Sequence, residues 1–260
     1  MTHRNIMFIV AAVVVQRLFA YEEWSTPALT APTVVGAPAI EVTYQHQFRG
    51  NIFGQDRPEN LFGLGEGADA WIGIQGIIPH GARVYVSYDT WQLFSRSHNE
   101  FTAGAGYAVK VPRLLVRLQA DGEIYTDLST AGEFERRVNG SFVKFSVQNE
   151  PLLDRFSLLY SIGYDFGRRA PGMGLTLNAA LTETVSLYGS YLPVINRPHS
   201  DSGQSEIFNP YLFGVRITTA GHQFMMYAGN LIETGARNPL FGTVDNNLRL
   251  GFVIKRLFTW

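Results

Sequence analysis

About twelve stretches of this chain alternate apolar and polar residues one by one, and that period of two constrains the fold more than any other feature. A strand throws successive side chains to opposite faces, so each stretch carries one greasy face and one wet face. In Ile40-Glu41-Val42-Thr43-Tyr44-Gln45-His46-Gln47-Phe48-Arg49 the even positions are mostly apolar and the odd ones all polar. Val84, Val86 and Tyr88 likewise oppose Arg83, Ser87 and Asp89, and Phe156, Leu158, Tyr160, Ile162 and Tyr164 oppose Arg155, Ser157, Ser161, Gly163 and Asp165. The pattern returns around 100–110, 117–124, 143–148, 211–218 and 248–260, with less regular segments at 69–78, 174–181, 185–192 and 223–228. No stretch sustains a helical period, so the chain is predicted to be all-β.

The connections carry a second pattern. Short links (Pro79–Ala82, Val111–Arg113, Asn149–Asp154, Leu181–Thr184, Thr219–His222) alternate with long ones (Asn51–Gly67, Thr90–Asn99, Thr126–Arg137, Pro193–Phe208, Gly229–Asn246), and Gly167–Gly172 is intermediate. A single up-and-down antiparallel transmembrane barrel of about 12 strands shows this asymmetry, with short periplasmic turns and longer outer loops. An even strand count places both termini on the short-turn side, and therefore in the periplasm. The start of the chain fits export. Thr2-His3-Arg4-Asn5 is polar and basic, Ile6–Val15 is apolar, and Ala20 is a small residue at a cleavage point, which together describe a signal peptide over residues 1–20. Residues 21–38, with Pro27, Pro32 and Pro38, read as a Pro-rich periplasmic leader. Residues 39–260 are then the outer-membrane barrel.

Lipid satisfies no backbone polar group, so a spanning sheet must close on itself. Its polar face then turns inward. The expected lumen-lining residues are Arg83, Arg117, Arg155, Arg216 and Arg249 with Asp89, Asp121, Glu123 and Asp165. Rings of charge set ion selectivity in pores, whereas pairing among these same groups would fill the barrel. Tyr44, Trp91, Tyr107, Tyr164 and Tyr191 suit the interfacial girdles, while Trp71 shares the inward parity of Asp69 and Gln75. The last strand ends Phe258-Thr259-Trp260. Such an aromatic end is what the barrel-assembly machinery reads, so that machinery and outer-membrane lipid are the expected partners.

The chain resembles an uncharacterised family of exported outer-membrane β-barrels, a domain of unknown function. The resemblance rests on the Pro-containing leader followed by Ile40-Glu41-Val42 and Gln45-His46-Gln47-Phe48, then Asn60-Leu61-Phe62-Gly63-Leu64. It continues through Gly221-His222-Gln223-Phe224, Asn230, Leu250-Gly251-Phe252 and Arg256-Leu257-Phe258. It implies one outer-membrane-type barrel and carries no activity with it.

Signatures of other functions are weak. Gly104-Ala105-Gly106 lacks the third glycine and following helix of a dinucleotide site, and strand glycines facing bulky neighbours explain it better. No Gly-x-Ser-x-Gly elbow occurs. His199-Ser200-Asp201 is too local for a triad. His46, His80, His98, His199 and His222 are scattered singly, and Asp56, Glu59 and Glu66 read as an acidic surface loop. No catalytic residue, metal or cofactor is expected. Zero cysteines exclude disulfides and thiolate chemistry, and a net charge of −1 argues against nucleic-acid binding. The expected function is a narrow channel for small hydrophilic solutes or ions. The alternative is a non-conducting structural or docking barrel that binds another envelope protein through its outer loops or leader. A lipid-embedded enzyme and a soluble lipid-binding barrel are the remaining readings.

Overall fold

The computed structural model describes residues 25–33, 35–54, 67–93, 96–131, 134–153, 155–195, 207–231, 234–235, 237–243 and 245–260. The expected signal peptide over residues 1–20, Asp56, Glu59, Glu66 and the His199-Ser200-Asp201 group lie outside them. Twelve antiparallel strands close into one barrel, each paired with its neighbours in sequence and β1 with β12. They are β1 Ala39–Phe48, β2 Ala68–Ile77, β3 Ala82–Leu93, β4 Arg96–Val111, β5 Val116–Ala131, β6 Phe134–Asn149, β7 Phe156–Asp165, β8 Ala170–Ala180, β9 Val185–Tyr191, β10 Tyr211–Thr219, β11 His222–Gly229 and β12 Arg249–Thr259. The seam runs in register from Ala39↔Thr259 to Gln47↔Gly251.

Polarity is inverted relative to a soluble barrel. On β3, Val84, Val86 and Tyr88 are exposed, whereas Arg83, Ser87 and Asp89 are buried. Ser161 and Asp165 on β7, Thr176 and Asn178 on β8 and Gln223 on β11 are fully buried. Leu158, Leu175, Leu177, Phe213 and Phe224 stand outside. This is the arrangement that a hydrocarbon surround imposes. No helix among the described residues is long and apolar enough to cross a membrane, which says nothing of strands. Tyr107, Tyr164 and Tyr191 lie on the outer face. Tyr44 does too, with its hydroxyl 3.2 Å from His46 Nδ1 and both rings near Phe252.

Two expected long connections are corrected. Thr90–Asn99 and Thr126–Arg137 belong largely to strands, because β3 pairs β4 as far as Leu93↔Arg96 and β5 pairs β6 as far as Ala131↔Phe134. The strands β4, β5 and β6 have 16 residues each, against the ~9–11 that span a bilayer. Their outer ends are polar on the outward face as well, with Tyr88 donating to Asn99 Oδ1 at 2.8 Å and Thr126 to Asn139 Oδ1 at 2.9 Å. Past the apolar band the alternation fades while the backbone ladder continues, which is why the pattern read as loop.

Candidate functional site

The lumen wall is densely charged on one side and on the other mixes polar groups with an apolar cluster. On the charged half, Arg83 of β3 reaches past β4 to Asp121 of β5, Nη2 to Oδ1 2.6 Å. Lys144 of β6 lies 3.7 Å from the same carboxylate, and Lys255 of β12 lies 3.8 Å from Glu41 of β1. The Gly104-Ala105-Gly106 stretch belongs here. A Cβ on Gly106 would fall 2.0 Å from Asp121 Oδ1 and 3.1 Å from Arg83 Nε, and one on Gly104 would meet the Tyr85 ring at 2.4 Å. Both glycines make room for inward side chains of β3 and β5. Trp71 faces inward across Gly73 and Gly235.

The opposite half, β6–β11, carries an apolar cluster of Phe142, Leu159, Tyr188, Leu212, Met225 and Tyr227 set among inward polar groups such as Ser161, Thr176, Asn178, Ser190 and Gln223. Two segments fill it from opposite ends. The first is the leader, Ser25–Thr33, which sequence reading placed outside the barrel as a linker; that placement is corrected. Its Ala28, Leu29 and Ala31 are completely buried, with Leu29 against Gly174 and Leu192. Local bonds knot it: Leu29 N–H donates to Thr26 Oγ1 at 3.1 Å and Ala31 N–H to Ser25 Oγ at 2.8 Å. The wall holds it through Thr26 and Ser190, hydroxyl to hydroxyl 3.2 Å, through Lys144 donating to Thr30 Oγ1 at 2.8 Å, and through Arg216 donating to the Ser25 carbonyl.

The second segment is the β11–β12 connection, residues 230–248. Arg237 reaches three carboxylates on the wall: Glu100, Asp165 at 2.8 Å and Glu123 at 3.7 Å. Its guanidinium carbon lies 3.7 Å from the centre of the Tyr125 ring, and Tyr125 donates to Asp165 at 2.8 Å. Thr234 donates to Asp89 at 2.6 Å, and Leu240 packs into the apolar cluster. A cavity of about 100 Å³, room for several waters, is bounded by Thr26 and Thr30 of the leader, Gly235 and Arg237 of the connection, and the charged wall around Glu41 and Lys144.

The residues expected to line the lumen fall into three groups. Arg83, Asp89, Asp121, Asp165, Arg216 and Arg249 are buried on the inner side, and Glu123 is 11% exposed there. Arg83 pairs with Asp121 within that set; Asp165 and Glu123 meet Arg237 and Arg249 meets Asp245 at 2.6 Å. Arg117 sits at the short-turn end of β5, bonded to Glu150 at 2.9 Å. That neighbour holds the Glu150 carboxyl below its usual range, chiefly through the Arg117 hydrogen bond. Arg155 is a correction: it is exposed in the turn before β7, which begins at Phe156, so strand parity no longer governs where its side chain points. Sequence reasoning missed Arg237, because a loop residue carries no period to place it. Among the described residues no group of His, Asp or Glu is arranged to hold a metal.

A closed sheet with a polar, charged interior and an apolar belt defines a β-barrel of the outer-membrane type, and comparison with known proteins agrees. Residues 137–258 match the family model described as "Membrane bound beta barrel domain (DUF5777)". No curated protein sequence matches. Among solved structures, the KdgM porin is 10% identical over 85% of this chain and 99% of that one, TM-score 0.51. The KdgM porin in complex with disordered oligogalacturonate gives 9%, the same coverage and 0.52. Omp33 of Acinetobacter baumannii is 12% identical over 86% of this chain and all of its own, at 0.48. The outer membrane phospholipase A of Escherichia coli is 12% identical over 94% and 96%, at 0.46. At such identities the likeness is one of fold.

Proposed function

We propose that this chain is a narrow outer-membrane channel for small hydrophilic or charged solutes, closed here by its own leader. One observation carries the reading: the leader segment Ser25–Thr33 contains no charged residue, yet it sits in a lumen whose other inserted segment is fixed by a three-carboxylate clamp. The wall bonds to the leader, from the Ser190 hydroxyl and from the cations Lys144 and Arg216, contribute only ~0.5–3 kcal/mol each net, whereas withdrawing Arg237 strands buried carboxylates, so the leader is the more removable part. Its withdrawal would join the cavity to the short-turn rim, where β1 begins and β12 ends. On this reading the short-turn rim and both termini face the periplasm. Phe258 and Trp260, both exposed at that rim, are the end that the assembly machinery would engage.

The test is single-channel conductance of the refolded full chain in planar bilayers. Brief, infrequent openings are expected, lengthened in a Leu29→Ala variant. Silence from both, with folded barrels demonstrated by heat-modifiable gel migration, would overturn the channel reading. The filled lumen favours the second reading, a non-conducting barrel that docks an envelope partner, and that outcome would support it.

A further inference from the structure

We propose that the apolar cluster in the lumen wall is a binding site for the aliphatic part of a small anionic amphiphile, and that the leader occupies it as a stand-in. The inference rests on the leader being displaceable, and deepens that reading by naming the class of solute. A passage for purely hydrophilic solutes has no use for an apolar inner wall, which binds water poorly and gives such solutes no hydrogen-bond partners. Here Leu159, Leu192, Leu212 and Met225, all at most 1% exposed with the leader in place, nonetheless form an inward apolar patch among polar neighbours such as Ser161, Thr176 and Ser190.

The shape of the occupant specifies the ligand. Leu29 fills a pocket floored by Gly174, where an added Cβ would lie 2.9 Å from Leu29 Cδ1 and 3.4 Å from Leu192 Cδ2. The pocket is therefore cut to a branched or short aliphatic group. Four residues along β8 from Gly174, Asn178 Oδ1 accepts at 3.1 Å from the Arg216 guanidinium, which is 2% exposed, also donates to the Ser25 carbonyl and has the Tyr188 ring 5.3 Å from its carbon. Lys144 donates to the leader's Thr30 hydroxyl. Each cation thus gives the leader a hydrogen bond that a neutral oxygen accepts. An anionic oxygen in either place accepts a charge-assisted bond roughly twice as strong. A carboxylate, sulfonate or phosphate head on a short hydrocarbon body reproduces both halves of what the leader offers and improves on one.

The test is direct binding to the full chain in lipid nanodiscs, read by saturation-transfer NMR of ligand methyl and methylene protons, with empty nanodiscs subtracted. The probes are hexanesulfonate, methanesulfonate for the head alone, and hexyltrimethylammonium for the tail with the opposite charge. In Leu29→Ser the vacated pocket is expected to bind hexanesulfonate about tenfold tighter than methanesulfonate, or than the unaltered chain binds it, the worth of roughly two buried methylenes, and also tighter than hexyltrimethylammonium, whose cationic head faces Arg216 and Lys144. Adding Gly174→Val to that variant refills the pocket and should abolish the preference while the barrel keeps its heat-modifiable migration. If Leu29→Ser does not fold, Leu29→Ala is used, with a smaller gain in the same order of probes. Equal binding of the three probes, or none, in a folded variant would overturn the proposal. Selective binding in a barrel that never conducts would sink the channel reading alone, whereas currents without selective binding would sink this inference alone.

Discussion

The leader and the β11–β12 connection enter one lumen from opposite ends, and different chemistry holds each there. The connection brings a charge, Arg237, and three wall carboxylates answer it. The leader brings hydroxyls, carbonyls and three small apolar side chains, and nothing ionic. A buried cation with several acceptors is expensive to withdraw, because every partner left behind is an uncompensated charge. The neutral leader leaves behind hydroxyls and the cations Lys144 and Arg216, which entering water can satisfy, and an apolar patch, but no carboxylate deprived of its partner. The same lumen therefore holds one insert as part of its wall and another as an occupant.

The comparison breaks most visibly at Arg237. Arg237→Met should destabilise the barrel by about 3–5 kcal/mol, the cost of stranding buried carboxylates, measured as a fall in the denaturant midpoint of refolded protein in lipid. Leu29→Ala should behave differently, although truncating a buried leucine ordinarily costs ~2–5 kcal/mol. Because the leader can leave while the barrel stays closed, the loss is limited to the leader's own docking. The midpoint should move by less than about 1 kcal/mol, while proteolysis within residues 21–38 accelerates. An equal fall in both midpoints would erase the distinction between wall and occupant.

Arg83→Gln sharpens the charged half. It removes one cation from beside Asp121 and leaves Lys144, so reversal potentials in a salt gradient should shift toward cation preference; because Arg83 and Asp121 are both buried, the barrel should also lose about 1–3 kcal/mol, less than in Arg237→Met since Lys144 stays beside the carboxylate. No shift would mean that ions do not pass this wall. The smallest effect is expected at the short-turn rim. Glu150, lowered by Arg117, contributes stability that is present above its unfolded value of ~4.3 and lost as pH falls through the lower folded value. Titration from pH 6 to 3 should therefore destabilise the unaltered chain slightly more than Glu150→Gln, and an identical acid response in both would show the pair contributes nothing.

The barrel was legible because lipid imposes a strict rule on each strand. The alternation around Glu41, Arg83, Asp121 and Asp165 survives at every inward position between the apolar ones, so strand number and facing follow from it. The rule ends where lipid ends. Asn99, Asn139 and Arg155 lie beyond the apolar belt or in a turn, and there alternation either disappears or loses its meaning. The lumen was half legible. Periodicity shows that charges face inward, but it does not show what they meet, since Arg83 and Asp121 find each other across an intervening strand through the gap at Gly106. Residues without a period were invisible: Arg237 in a connection, and Leu29 in a stretch whose prolines read as a spacer. A rigid uncharged segment of small residues next to a barrel was the available signal, since it is what a narrow lumen admits.

The central claim is that the leader closes a lumen that otherwise conducts. The chain has no cysteine, so Thr26→Cys with Ser190→Cys, at positions whose hydroxyls lie 3.2 Å apart, would place the sole disulfide between leader and wall. Single-channel recording of this variant in planar bilayers should show no openings when oxidised and brief openings like those of the unaltered chain once a reductant is added. Equal currents in the two states, with the disulfide confirmed by mass, would contradict the account.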